Sequence, residues 1–448
     1  LDRNSLAALG EALRKLEEGF SALPQADSAA PGIARLEQVL SVTAERLRDN
    51  FPYFHPLYAG QMLKPPHPVA RLAYALALWI NPNNHALDGG RATSAMEKEA
   101  VAEIASMFGW RQFLGHLCGG GTMANLEALW VAGQLHPRKT ILASDQAHYT
   151  HRRISSVLGL PFDSVPTESR GRMDVEALET RLKGGDVGTV VATMGTTAVG
   201  SVDALADILA LREKYGFRLH VDAAYGGYFT LAQNLAEDTA RAFACLGQAD
   251  SLVTDPHKHG LQPYGCGCVL FRDPAVGKLY KHDSPYTYFS SSELHLGEIS
   301  LECSRPGAAA AALWATQRLL PLSKGGEFAQ GLERCRKAAL DLHGKLQQDP
   351  QFVAAFEPEL DILVWVPQGE SVAQISTHSR AIFLAAANRG LHVALAEVPV
   401  KFFPALGSNR PTTLQTVTAL RSVLMKPEHL DWVGRIWTIL KDSLDATC

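Results

Sequence analysis

Lys258 stands between two histidines in Asp255-Pro-His-Lys-His-Gly260, directly after the apolar run Ser251–Thr254. An amine in a partly desolvated, cation-flanked position has a lowered pKa and can form a Schiff base with a carbonyl compound. Asp222, 36 residues earlier, sits in a second such run, Leu219-His-Val-Asp-Ala-Ala-Tyr-Gly-Gly227. A carboxylate taken out of water at a strand end needs a partner, either backbone amides or a cation such as the protonated ring nitrogen of pyridoxal phosphate. Gly119-Gly-Gly-Thr-Met-Ala-Asn125 opens a helix running to Gln134. Small residues there let backbone amides approach a phosphate, and Thr122 adds a hydroxyl donor. His148 follows the run Thr140–Ser144 and suits a flat contact with a planar ring. Its spacing to His151 also fits a metal site, but no third ligand completes a zinc pattern there or at His257/His259, so no metal is expected. Thr196 and Thr197, after Val187–Thr193, offer hydroxyls to a ring oxygen, to a substrate, or to the next helix as a cap.

Apart from the glycine turn, these residues lie at or just after short β-rich runs, and the runs alternate with helical patterns from about residue 86 to 325. Alternation of this kind predicts an α/β layer, with Leu219–Ala223 and Cys268–Phe271 as further strands. Val-Gly-Thr-Val-Val-Ala-Thr is apolar without clean alternation, as a strand covered on both faces should be. The carboxyl ends of such strands form the ligand crevice. Before this layer, residues 1–85 form a helical arm, with stripes Leu6, Leu9, Leu13, Leu16, Phe20 and then Ile33, Leu36, Leu40, Leu47. Such an arm cannot bury its stripe alone and needs the body of the protein or a partner subunit, the latter favoured. Residues 326–448 predict a smaller α+β domain, with helices Phe328–Gln347, Ser371–Arg389 and Glu428–Leu444 around strands Asp361–Val366 and His392–Leu395.

The 448 residues carry 42 Lys+Arg against 46 Asp+Glu, a net charge of −4, with 46% hydrophobic residues. This composition excludes a disordered chain, a collagen or a coiled coil, and it gives no reason to expect nucleic acid as a partner. Seven dispersed cysteines without C-x-x-C spacing argue for free thiols in a reducing compartment, the cytoplasm. Val69–Ile80 is too short to span a bilayer and contains Arg71, so it reads as a buried helix, and no membrane association is expected.

Taken in order, these segments resemble the pyridoxal-phosphate-dependent group II amino-acid decarboxylases, the family of glutamate and aromatic-amino-acid decarboxylases. The resemblance runs from about residue 54 to 325 and rests on Phe54-His-Pro-Leu-Tyr58, Ala143-Ser-Asp-Gln-Ala-His-Tyr149, Met194-Gly-Thr-Thr197, His220-Val-Asp-Ala-Ala-Tyr225, Asp255-Pro-His-Lys258 and Ser304-Arg-Pro-Gly307. It implies fold type I: a large domain with a mixed, mostly parallel sheet between helices, a smaller α+β domain and a helical arm. It also implies a homodimer with the active site at the subunit interface. Lys258 would bind pyridoxal 5'-phosphate, Asp222 would keep its pyridine nitrogen protonated, and Ala224 and His148 would sandwich the ring. Gly121, Thr122, Asp255 and His257 would surround the phosphate, and Thr197 matches the family's ring-contacting threonine. An L-amino acid would displace Lys258 from its Schiff base and lose carbon dioxide through a quinonoid intermediate, giving the amine.

A loop tyrosine from the neighbouring subunit is implicated in returning the proton, and Tyr286 or Tyr288 matches its place. Met123 borders the cofactor where bacterial relatives commonly carry glutamate, and His259 stands where tryptophan is common. Tyr58, Gln61, Asn83 and Arg305 are the candidate substrate contacts; the stretch Asn81-Pro-Asn-Asn-His85 fits either that role or a hydrogen-bonded loop. Carbon-carbon lyases acting on phosphorylated amino-alcohols and aldehyde-forming relatives share the lysine and are the alternative activities, with a silent dimeric scaffold as a third. No cluster of basic residues for a phosphorylated substrate stands out, both loop tyrosines are present, and a scaffold has no use for Lys258 paired with Asp222.

Overall fold

The computed structural model describes residues 3–24, 32–281, 294–406 and 414–447. Its centre is a seven-stranded sheet of β1 (Leu114–Cys118), β2 (Thr140–Ser144), β3 (Phe162–Val165), β4 (Val187–Thr193), β5 (Arg218–Asp222), β6 (Ser251–Thr254) and β7 (Gly267–Phe271), in the order β1-β7-β6-β5-β4-β2-β3. Only β7 runs antiparallel to its neighbours, β1 and β6. The remaining pairs are parallel, which directs the ends of β1, β2, β4, β5 and β6 to one edge of the sheet.

Both faces of this sheet are covered. Val253, Val269 and Phe271 share an apolar cluster with Ala124, Ala128 and Val131 of the helix Gly121–Leu135. Their chain neighbours Leu252 and Leu270 point into a second cluster with Ile208 and Phe243. Strands buried on both sides have no polar face to show, hence the continuous apolar runs. A second sheet of four antiparallel strands follows: β8 (Phe352–Ala354), β9 (Ile362–Pro367), β10 (Ala394–Pro399) and β11 (Thr416–Val423), ordered β10-β11-β9-β8. Helices Glu327–Gln348, Val372–Asn388 and His429–Asp445 close it over a core containing Leu342, Trp365, Ile382, Leu420 and Ile436.

The arm holds helices Arg3–Glu18 and Ile33–Leu47. The second has no buried residue, and Leu36, Leu40 and Leu47 are all exposed. Within one chain the second helix therefore leaves its apolar stripe uncovered, while Leu9, Leu13 and Leu16 of the first are half-buried. The expectation of a buried helix at Val69–Ile80 is corrected as well. The helix there, Pro68–Leu78, buries only Ala70, while Trp79 is 62% exposed. It packs on the helices Gly307–Leu319 and Arg3–Glu18, and its residues 72–77 are half-buried. The end of the arm segment is tied to the second sheet's domain by a bridge between Tyr58 and His392.

Candidate active site

Five strand ends meet at one cavity of about 500 Å3. β1 delivers Gly119–Gly121 and the helix after them; β2 delivers His148; β4, Thr197; β5, Asp222 and Ala224; and β6, Asp255, His257 and Lys258. Thr122 and Met123 complete the set, so every cofactor contact expected from the sequence lines this one space. Lys258 Nζ lies 3.1 Å from Asp255 Oδ2, and His257 Nε2 lies 3.6 Å from the same oxygen.

Asp222 is the best-held charge in the cavity. Burial works to raise its pKa, yet the contact with His151, the nearby Lys258 charge and the amide of Ala224 together hold the carboxyl well below the usual carboxylate range. His151 Nε2 is 2.8 Å from Oδ2, and Ala224 N–H donates to Oδ1 at 3.1 Å. Asn125 Nδ2 donates to Oδ2 at 3.4 Å, while its Oδ1 accepts from His220 Nε2 at 2.8 Å. With Nε2 the donor, His220 Nδ1 accepts from Ser251 Oγ at 2.9 Å. Burial first, and then the neighbouring His151, push the His220 pKa down to about 3, so the ring is neutral.

His148 is likewise kept neutral, chiefly by burial and despite the attraction of Asp222. Its Nδ1 accepts from Thr150 N–H at 3.3 Å and contacts the Thr150 hydroxyl, which leaves the hydrogen on Nε2.

The glycine turn is shaped for close approach. Gly120 has φ +145, and a Cβ on Gly121 would stand 2.7 Å from Asp255 Oδ2. A Cβ on Gly267 would collide with the Gly120 backbone at 2.5 Å. The turn opens a 15-residue helix, whose first amides have no partner within the helix and suit a phosphate, and among the described residues Asp255 Oδ1 and His257 Nδ1 are buried without a hydrogen-bond partner. A phosphate at the glycine end, a cationic ring nitrogen at Asp222 and an aldehyde at Lys258 are what these groups suit, so the residues present fit pyridoxal phosphate.

The expected substrate contacts fare differently, since none of Tyr58, Gln61, Asn83 and Arg305 lines this cavity. Arg305, 5% exposed, is committed to Glu97 at 2.7 Å and to the Leu117 carbonyl. Asn83 Oδ1 accepts from the amides of His85 and Arg305, at 3.0 and 3.1 Å, which makes its stretch a hydrogen-bonded loop. Tyr58 is buried with its carbonyl accepting from Lys426 Nζ at 2.7 Å, and Gln61 is exposed. Thr196 is a turn residue, its Oγ1 accepting from Ser201 N–H at 3.0 Å. Tyr286 and Tyr288 lie outside the described residues.

Sequence reasoning missed the residues behind the first layer. His151 was weighed only as a metal ligand; its position in the first turn of Thr150–Val157, three residues past His148, was the signal that both imidazoles serve one site. Arg421 on β11 gave no local signal. Its guanidinium donates to the carbonyls of Thr197 (2.7 Å), Ala198 (3.0 Å) and Gly60 (3.2 Å), tying the second sheet to the loop after β4.

The sheet order and the lysine, carboxylate and glycine-turn geometry define a pyridoxal-phosphate protein of fold type I. The chain belongs to the pyridoxal-dependent decarboxylase family, whose conserved domain matches residues 121–366. It is 30% identical to the L-tyrosine decarboxylase of Enterococcus faecium, over 64% of each chain. It is also 30% identical to a probable L-tyrosine/L-aspartate decarboxylase of Methanothermobacter thermautotrophicus, over 68% of this chain and 82% of that one. The chain thus spans just under two thirds of the length of the tyrosine decarboxylases it matches. Among solved structures it shares its fold with mouse CSAD in apo form, at TM-score 0.77 and 18% identity over 98% and 99% of the two chains. Oryza sativa TDC with PLP and tryptamine is equally similar, at TM-score 0.77 and 17% identity over 100% and 99%.

Proposed function

We propose that the protein decarboxylates an L-amino acid to the corresponding amine and carbon dioxide. The observation that carries this reading is the placement of Lys258 and an ionised Asp222 at the ends of adjacent strands, lining one cavity, in a chain of the decarboxylase family. When bound, pyridoxal phosphate supplies an aldehyde that condenses with amines and a ring that takes up the electron pair left by departing carbon dioxide. Lys258 would hold that aldehyde and yield it to the substrate amine. The Gly121 amide and Thr122 hydroxyl would anchor the phosphate, with Asp255 and His257 beside it; Met123, Thr197, Ala224 and His148 would border the ring. Asp222, ionised near neutral pH, would hold the ring nitrogen in its protonated form.

Relatives named for tyrosine and for tyrosine/aspartate make L-tyrosine the first substrate to try and L-aspartate the second. A homodimer is part of this reading, supported by the uncovered apolar residues Leu36, Leu40, Phe54 and Trp79. Tyr58 and Gln61, absent from the cavity of their own chain, would then be judged against the partner's. A cytoplasmic location is favoured by the six described cysteines, all free.

The test is mass spectrometry of products after the cofactor-loaded protein meets tyrosine, aspartate and a panel of other amino acids. One substrate losing the mass of carbon dioxide, with no product from Lys258→Ala, supports the reading. An aldehyde product, or turnover surviving in Lys258→Ala, sinks it.

A further inference from the structure

Asp361, fully buried at the threshold of β9, carries a carboxylate that the chemistry above does not use. Its Oδ1 accepts from Tyr225 Oη at 2.6 Å, and its Oδ2 lies 3.2 Å from His259 Nε2. Tyr225 follows Asp222 by three residues, and His259 directly follows Lys258. The two rings also meet each other edge to face at 4.8 Å, and His259 meets Phe229 at 5.0 Å in the same manner. A single side chain from the second sheet's domain therefore hydrogen-bonds to the loop that carries the site's charge and lies in close polar contact with the loop that carries its nucleophile.

The carboxylate–imidazole contact alone would be a poor source of stability, since burial lowers the His259 pKa and disfavours its charged form. What it does supply is direction. A carboxylate with one oxygen on each loop fixes their separation, as a pivoting apolar contact would not. Arg421, on the neighbouring β11, grips the loop after β4 from the same domain, so the domain reaches three of the five strand ends.

We propose that Asp361 is a positioning residue: through Tyr225 and His259 it sets the placement of Asp222 relative to Lys258, and so makes the geometry of the active site depend on the seating of the C-terminal domain. This rests on the decarboxylase reading for its effect on turnover, but not for its effect on the loops. Misplacement of reacting groups by about 1 Å costs on the order of 100-fold in rate.

The experiment compares the parent chain with Asp361→Asn, Asp361→Leu and Tyr225→Phe. Amide hydrogen exchange is followed over 222–226 and 256–262, and kcat, KM, cofactor affinity and the pH titration of the bound cofactor's absorbance are measured. Asp361→Leu should speed exchange in both segments at once, lower kcat by about 100-fold with little change in KM, and shift the absorbance titration. Asn keeps an acceptor and a donor in place and should rescue most of the loss. Tyr225→Phe, which removes one hydroxyl from a well-packed ring, is the variant to rely on if Leu does not fold; it should lose about tenfold in kcat. Exchange, kcat and titration all matching the parent in Tyr225→Phe and in folded Asp361→Leu would overturn the proposal. A purely structural role would lower stability without moving the titration or splitting kcat from KM, and that pattern overturns it too. If the parent itself fails to decarboxylate while exchange still rises in both loops, the activity reading falls and the positioning role stands.

Discussion

His151 Nε2 sits 2.8 Å from Asp222 Oδ2, with the imidazole cut off from solvent and the carboxylate nearly so. The acid that governs the cavity's electrostatics is thus held from behind by a histidine that does not line the cavity.

Replacing His151 by Leu should let the Asp222 pKa climb back toward the carboxylate range. The acid limb of the kcat profile then moves to higher pH, and kcat at neutral pH falls by about 10- to 100-fold, as for other orienting partners behind a reactive group. Steady-state rates between pH 4 and 8 decide it; an unmoved acid limb would show that the contact contributes nothing to Asp222.

Gly121→Ala should cost cofactor affinity. The new methyl would stand 2.7 Å from Asp255 Oδ2, so that carboxylate must shift against Lys258 and His257. An overpacking penalty of about 1–3 kcal/mol corresponds to roughly 5- to 150-fold in Kd for pyridoxal phosphate. Fluorescence titration of the apo protein measures it directly.

Arg305→Met should destabilise the fold by about 3–5 kcal/mol, because Glu97 would be left as an uncompensated buried charge. Adding Glu97→Leu should recover much of the loss. Urea denaturation of the parent and the two variants distinguishes this from a substrate role, which predicts a raised KM and an unchanged midpoint instead.

His220 makes an acid-stability prediction of definite sign. Its folded pKa, about 3, lies below the ordinary imidazole value, so the unfolded chain binds the extra proton between these limits. Stability from this group is complete above about pH 6.5 and drains away as pH falls, at about 1.4 kcal/mol per pH unit. In His220→Gln that increment should vanish from the slope of stability against pH between 4 and 6.

Much of this architecture was legible because the parallel strands are buried on both faces. Thr140–Ser144, Val187–Thr193 and Ser251–Thr254 stand out as apolar runs followed by polar residues, and the observed strands have the same limits. β1 was not legible. Its Gly115 and His116 interrupt the apolar run, and Gly115 is there because a Cβ would fall 2.5 Å from Leu270 on the adjacent β7. The cavity-lining residues after β2, β4, β5 and β6 could be read because each follows its strand closely, and the glycine turn by its composition. Asp361 and Arg421 could not, since their partners lie more than a hundred residues away and nothing local marks a carboxylate or guanidinium as bound for another domain. Arg305 misled for the converse reason: its motif was visible, but the buried glutamate that claims it was not.

The hydrogens running from Ser251 through His220 and Asn125 to Asp222 all point the same way, and no group in that line is free to reverse. A line with one fixed polarity and a neutral imidazole in its middle cannot conduct a proton out to the surface or back. This side of Asp222 is therefore a fixed support for the carboxylate, whose ionisation is set by its lowered pKa, while exchange of protons with the medium is left to the cavity side.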